Sequence, residues 1–283
     1  MANLLSLKRR IKTAQNVSKT TKAMQMIAAS KLKKAQEAAL SGRPYVEKLT
    51  SISTRIGKSV ESDNLIDYMK LLTEKNEKLI IVIAPDKGLC GGLVTNIGRE
   101  LLRFVKDNKN TKIITVGKKG LGIGRISGGE IIASFEISTT LPSYDLVFPV
   151  MNIIDDYFLN KKASEVYLLH SKFVSLFTQT PEIKKILPAS FEKEENEAGD
   201  TLFEPSASEM LPALIRHYLE ISIYQSFLEN YLSEQAARML AMQNATNNAK
   251  DIIEELKLIY NKSRQEKITN EILDIAGGAF AYA

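Results

Sequence analysis

Between Pro212 and Gly277 the chain runs roughly 64 residues without a glycine or a proline. A helix of that length extends near 95 Å at ~1.5 Å per residue, whereas an ordinary globular helix makes about three turns. Leu214, Tyr218, Ile221, Gln225, Leu228, Leu232, Gln235, Met239, Met242, Thr246, Ala249, Ile253, Leu256 and Tyr260 follow one another in alternating steps of four and three. That spacing is the seam of a coiled coil, and an apolar seam this long requires a partner helix. Pro212 suits the first turn of such a helix, where its missing N–H is not needed.

The partner is at the other end of the chain. From Met1 to Ser41 there is no glycine or proline, and Leu4, Leu7, Ile11, Ala14, Val17, Thr21, Met24, Ala28, Leu32 and Ala35 repeat every three or four residues. Small residues are frequent in this stripe, which lets two helix axes come close. Gly42 and Pro44 mark an interruption, after which Tyr45, Leu49, Ile52 and Ile56 resume the pattern. An antiparallel pairing brings both ends of the chain into one slender unit.

The middle of the chain has a different texture. Leu79–Ala84 is a short, wholly apolar, β-branched run of the kind found in buried parallel strands. Lys112–Val116 and Val166–Leu169 are further strand candidates, and helical patterns cover Leu93–Val105 and Leu146–Leu159. Alternating strands and helices imply a mainly parallel sheet. The expected fold class is α/β plus a long antiparallel coiled coil. Residues 1–60 form the first coiled-coil helix, 75–208 a central Rossmann-like α/β domain inserted between the rod helices, and 209–283 the second coiled-coil helix. An acidic run, Glu192 to Glu209, reads as a solvated loop leading into the last helix.

Charge narrows the partner without choosing it. The formal net charge is +5, but Met1–Lys58 holds about 13 basic residues against Glu37 and Glu47, so the remainder is acidic. A basic first segment suits nucleic acid, an acidic membrane surface or an acidic protein sleeve. Nucleic acid is disfavoured by the lack of any aromatic residue before Tyr45 and of any tryptophan for stacking. The N-terminus lacks the apolar core of a secretory signal, no apolar stretch approaches the ~20 residues of a spanning helix, and Cys90 has no second cysteine to pair with.

Sites of chemistry are sparse. Pro85–Gly92 follows a strand and opens a helix, a place where backbone N–H groups and the helix dipole favour phosphate. Neither a dinucleotide nor a P-loop fingerprint can be read across it, so a tight strand-to-helix turn is the favoured reading, with a nucleotide enzyme using Asp86 as the rival. Cys90 reads as a small buried thiol. Gly117–Gly129, with six glycines beside Lys118, Lys119 and Arg125, is expected to be a mobile surface loop. His170 and His217 with Cys90 have no metal-binding spacing, and no cofactor is expected.

Longer stretches carry a resemblance. Lys8–Ile11, Thr21–Lys31, Asp86–Gly91, Ser233–Thr246 and Tyr260–Ile272, in this order, resemble segments of the gamma subunit of F-type ATP synthases. Ala84-Pro85, where that family often has small hydroxyl residues, and the tip Gly277–Ala283 depart from it. The resemblance implies a non-catalytic central-stalk rotor that couples ion translocation to ATP synthesis or hydrolysis. The partners it implies are three alpha and three beta subunits, the epsilon subunit and the membrane-embedded c-ring. Carried over by position, Arg9, Arg10, Met24, Arg238, Arg264, Gln265, Thr269 and Glu271 are the expected contacts with the alpha/beta ring. The implied location is the cytoplasmic face of a bacterial inner membrane, peripheral through the complex.

Overall fold

In a computed structural model, residues 4–59, 67–70, 77–189 and 204–281 are described. Helix α1 spans Leu4–Ser59 and helix α5 spans Ala207–Ala281. Between them lie β1 (Lys78–Ile83), α2 (Leu93–Asp107), β2 (Thr111–Val116), α3 (Lys118–Ser127), β3 (Glu130–Phe135), α4 (Val147–Leu159), β4 (Glu165–Phe173) and β5 (Gln179–Leu187). The acidic stretch Glu192, Glu194, Glu195, Glu197 and Asp200 lies outside the described residues.

The strands form one sheet in the order β3-β2-β1-β4-β5. Every neighbouring pair is parallel except the β4–β5 hairpin. The apolar runs predicted as strands are β1, β2 and β4, and Leu79 to Ala84 are all fully buried. Burial on both faces explains why β1 reads as a continuous apolar run rather than an alternating one.

The chain divides into two compact units, Met1–Ala28 with Met239–Ala283, and Ala29–Arg238. In the first unit, Leu7 and Ala28 on α1 and Met242, Thr246, Ala249, Ile253 and Leu256 on α5 are buried. The hydroxyls of Thr21 and Thr246 lie 2.8 Å apart across this seam, so a polar pair fixes the register of an otherwise apolar contact. Val17, expected in the stripe, is exposed, and Ser18 takes the half-buried position.

In the second unit, the same two helices run antiparallel. The Tyr45 hydroxyl lies 2.7 Å from Nε2 of His217, and Gln225 Nε2 donates to the carbonyl of Ala39 at 3.5 Å. The interruption expected at Gly42 and Pro44 is absent, because α1 continues through both. An interior proline costs about 3 kcal/mol of helix propensity, and the packing of Ala35, Ala39, Leu49, Ser53 and Ile56 offsets it. Gly42 admits α5 closely, since a Cβ there would sit 3.2 Å from Gln225 Oε1. Likewise α5 begins five residues before Pro212 rather than at it.

Helix α5 carries two buried stripes in this unit. Leu228, Leu232 and Gln235 lie on the seam read from the sequence, while Leu211, Ile215, Leu219, Ile223 and Phe227 form a second stripe. That second stripe joins Leu79, Ile81, Ile83, Leu168, Val150, Met151, Ile154 and Phe158 in one core. From Ser222 to Ala237 only Tyr224, Gln225 and Glu229 are even partly exposed. This stretch is buried on nearly every side although it includes Ser222, Ser226, Asn230, Ser233, Glu234 and Gln235, because α5 here has the sheet and α4 on one side and α1 on the other.

The glycine-rich stretch is not a mobile loop. It holds α3, which links β2 to β3. A Cβ on Gly124 would come within 3.2 Å of Thr115 and 3.1 Å of Ile131, so its absence lets α3 lie against the sheet. Gly117 has φ +96°, and a Cβ there would fall 1.9 Å from the carbonyl oxygen of Ala84. Gly117→Ala should therefore lower stability by at least ~2 kcal/mol in urea denaturation. Gly91→Ala, with φ +59° and open space around it, should cost about 1–2 kcal/mol.

Candidate functional site: a turn held by α5 and the exposed faces of the paired helices

The Pro85–Gly92 turn leaves the C-terminal end of β1 and is tied down from two directions. Asp86 Oδ1 accepts a 2.8 Å hydrogen bond from the backbone N–H of Lys118, and the carbonyl of Pro85 accepts one from Lys119 N–H at 3.0 Å. Asp86 is thus committed to the amino end of α3 rather than to the helix that the turn opens, α2, and its carboxylate is engaged as a structural acceptor. This commitment supports the tight-turn reading over the nucleotide one.

From the other side comes α5. Arg238 Nη2 donates to the carbonyls of Lys87 and Gly88 at 3.0 and 3.3 Å, and Nη1 donates to Glu234 Oε1 at 2.6 Å. A planar guanidinium can serve both partners at once, which a lysine ammonium does with less directional control. Earlier on the same helix, Asn230 Oδ1 accepts from Ser171 N–H at 3.1 Å, and Ser233 Oγ donates to Ser171 C=O at 2.8 Å. Ser171 lies two residues past the last β1–β4 pair, Val82↔Leu169. Side chains of α5 therefore supply the partners its buried backbone requires.

The turn pushes one side chain outward. Leu89 is 63% exposed, with φ +63°. For a leucine this left-handed conformation costs about 1–2 kcal/mol, and the bonds from Arg238 to the two preceding carbonyls hold it. Cys90, by contrast, is buried, and burial pushes its thiol up. It is a packing residue, as expected. Among the described residues no group of three His, Cys, Asp or Glu side chains is placed to hold a metal.

Of the eight expected ring contacts, seven belong to the first unit and Arg238 to the second. Arg9 and Arg10 are exposed on α1 and Met24 is half-buried; Arg264, Gln265, Thr269 and Glu271 are exposed on α5. The Thr269 hydroxyl donates to the Gln265 carbonyl at 3.0 Å, and Glu271 pairs with Lys267 at 3.5 Å, so these groups interact only along their own helix turn. Arg238 belongs to the other unit and engages its own chain. Asn230, Ser233 and Glu234 are site residues that periodicity passes over, Ser233 and Glu234 lying in the segment that carries the family resemblance; the signal available is a run of polar residues (Ser222, Ser226, Asn230, Ser233, Glu234 and Gln235) inside an apolar helical pattern.

Glu234 is only 6% exposed, and burial raises its pKa against the opposing pull of Arg238. Its charged form is unfavourable without that guanidinium. Arg238→Leu should cost about 3–5 kcal/mol at neutral pH, measured by chemical denaturation, and adding Glu234→Leu should restore most of it. The loss in the single variant should shrink as pH falls through the Glu234 titration, because the neutral acid needs no counter-charge.

Comparison with known proteins follows the same lines. A family model described as ATP synthase matches residues 3–282. The ATP synthase gamma chain of Dehalococcoides mccartyi is 40% identical over 285 residues, covering 100% of both chains. That of Variovorax paradoxus is 38% identical over 295 residues, covering 100% of this chain and 99% of the relative. Among solved structures, a chain of the Euglena gracilis mitochondrial ATP synthase (OSCP/F1/c-ring, rotational state 3) aligns with TM-score 0.67 and 19% identity, covering 98% of this chain and 94% of that one. A chain of the Tetrahymena thermophila central stalk and c-ring aligns with TM-score 0.60 and 23% identity, covering 80% and 99%. With long helices at both ends, a mostly parallel sheet between them and full-length identity of this order, the chain belongs to the ATP synthase gamma chain family.

Proposed function

We propose that this chain is the central-stalk rotor of an F-type ATP synthase, coupling ion translocation to ATP synthesis or hydrolysis while performing no catalysis itself. The observation that carries this reading is the helix pair of the first unit. Its seam is mostly apolar, with the Thr21–Thr246 pair inside it, and its outer faces expose Arg9, Arg10, Arg264, Gln265, Thr269 and Glu271.

The partners are three alpha and three beta subunits around the helix pair, with epsilon and the c-ring engaged by the α/β part, residues 75–208. Residues 1–60 and 209–283 are the helical shaft. No helix among the described residues is long and apolar enough to cross a membrane, which fits attachment through the complex at the cytoplasmic face of a bacterial inner membrane.

The mechanism is one of differential contact. An asymmetric shaft inside a ring of three equivalent catalytic sites meets each site differently. It biases each toward its own conformation by the difference in contact free energy. Rotation permutes those biases, and the chemistry remains in the ring. Arg9, Arg10, Met24, Arg238, Arg264, Gln265, Thr269 and Glu271 are the contacts through which the bias acts.

Reconstituting the ring with and without this chain tests the reading: rotation and sustained turnover should require it, and unchanged turnover without rotation would count against it. Arg264→Glu should lower coupled turnover about tenfold, the equivalent of ~1.4 kcal/mol of coupling. Because its side chain is exposed, the melting point of the isolated chain should stay within the range of a neutral surface change.

A further inference from the structure

Within the second unit, a continuous polar chain runs beside the first turns of α5. The Tyr68 hydroxyl, in the short turn Asp67–Met69, donates to Asp155 Oδ1 on α4 at 2.6 Å. The other oxygen of Asp155 pairs with Arg216 Nη1 on α5 at 3.2 Å. Arg216 Nε donates to Glu220 Oε1 at 3.3 Å. Glu220 Oε2 in turn accepts at 2.9 Å from the hydroxyl of Tyr144, in the turn Tyr144–Leu146 that leads into α4. Both carboxylates are engaged at both oxygens, and their side chains are only 15% and 12% exposed, so solvent and salt screen them less than a surface pair.

Two of these bonds cross from α5 to α4 and its leading turn. In one, Arg216 of α5 is the donor, and in the other, Glu220 of α5 is the acceptor. The Arg216–Glu220 bond lies within α5 and keeps both in place. The adjoining apolar stripe of Leu211, Ile215, Leu219 and Ile223 already holds α5 against the core. Hydrophobic burial is non-directional and follows area, so it opposes separation of the helix more than turning. Charge-assisted hydrogen bonds demand particular distances and angles, and so resist rotation of α5 about its own axis. A second set of directional bonds, from Asn230, Ser233 and Arg238, begins about 21 Å further along the helix.

We infer that the Asp155–Arg216–Glu220 cluster, anchored by Tyr68 and Tyr144, is a torque pin: it locks α5 to α4 against rotation, so that a twisting load passes between the helix and the α/β part without slip. Arg216 is a positioning residue. It meets no reacting group and acts through the carboxylate it holds on each side. The pin matters only when the two parts are driven against each other; at rest, the apolar stripe is enough.

The inference rests on the rotor reading, and one assembled ring supplied with ATP tests both. The full-length chain carries Lys109→Cys, an exposed position between α2 and β2, for attachment of a bead. Cys90 is buried and does not compete for it. Drag on the bead then loads the α/β part while the ring drives the helices. With Arg216→Leu added, the turning rate should match that of the natural residue at low drag and fall about fivefold below it at high drag. A rate that never differs overturns the pin. So does one that falls by the same factor at both drags, since that is general damage to the fold. Should Arg216→Leu not assemble, Asp155→Asn decides under the same two loads with the same expected outcome, because it keeps side-chain size and an acceptor for Tyr68 while removing the charge. A chain with Arg216 in place that does not turn at all would overturn the rotor reading, and the pin with it.

Discussion

The structure depends on the enclosure of α5 between Leu211 and Ala237. A single helix here supplies two buried stripes, one for α1 and one for the core shared by the sheet and α4. Each fully buried large apolar side chain contributes about 1.5–3 kcal/mol relative to exposure, and this stretch holds Leu211, Ile215, Leu219, Ile223 and Phe227 on one side alone. Remove either neighbour and one stripe faces water. Within the second unit, the sheet is tied to α1 because both pack on this helix. From the same helix, Asn230 and Ser233 finish backbone positions of Ser171, and Arg238, held by Glu234, finishes those of Lys87 and Gly88 in the turn.

The long helices were legible from periodicity, because a repeat sustained over many turns has no competing explanation. The second stripe of α5 was not, since a repeat read at 3.5 residues selects one face and passes over apolar residues one position away. The glycine-rich stretch misled for a related reason. Glycine disfavours helix in isolation, yet in α3 the missing Cβ at Gly124 is what permits close packing, and tertiary contact overrides propensity. Strands β3 and β5 had no clear signature. Both lie at sheet edges, where one side lacks a partner, and β5 carries Pro181 with Lys184 and Lys185, residues that blunt an edge.

Of the functional features, the Pro85–Gly92 turn was visible as a strand-to-helix connection, but its anchoring was not. Sequence gives no hint that Asp86 reaches the start of α3, or that Arg238, about 150 residues away, reaches the carbonyls of Lys87 and Gly88. Such contacts depend on long-range geometry. The same holds for His170, whose neighbours Glu182 and Glu229 come from β5 and α5. A role for the outward-facing residues of the first unit rests on resemblance to a family alone, because an exposed Arg or Gln carries no partner in its periodicity.

The Thr21–Thr246 contact joins residues 225 positions apart. During synthesis, the amino-terminal half of this seam leaves the ribosome long before its complement exists. Until then a small-residue stripe and a strongly basic helix must remain unpaired, while the intervening sheet can already begin to form. Closing contacts across such a separation is slow. Residues between Met242 and Leu256, translated more than 200 residues after Leu7 and Thr21, are therefore the ones that complete the first helix, and truncation before them would leave the beginning of the chain without its mate.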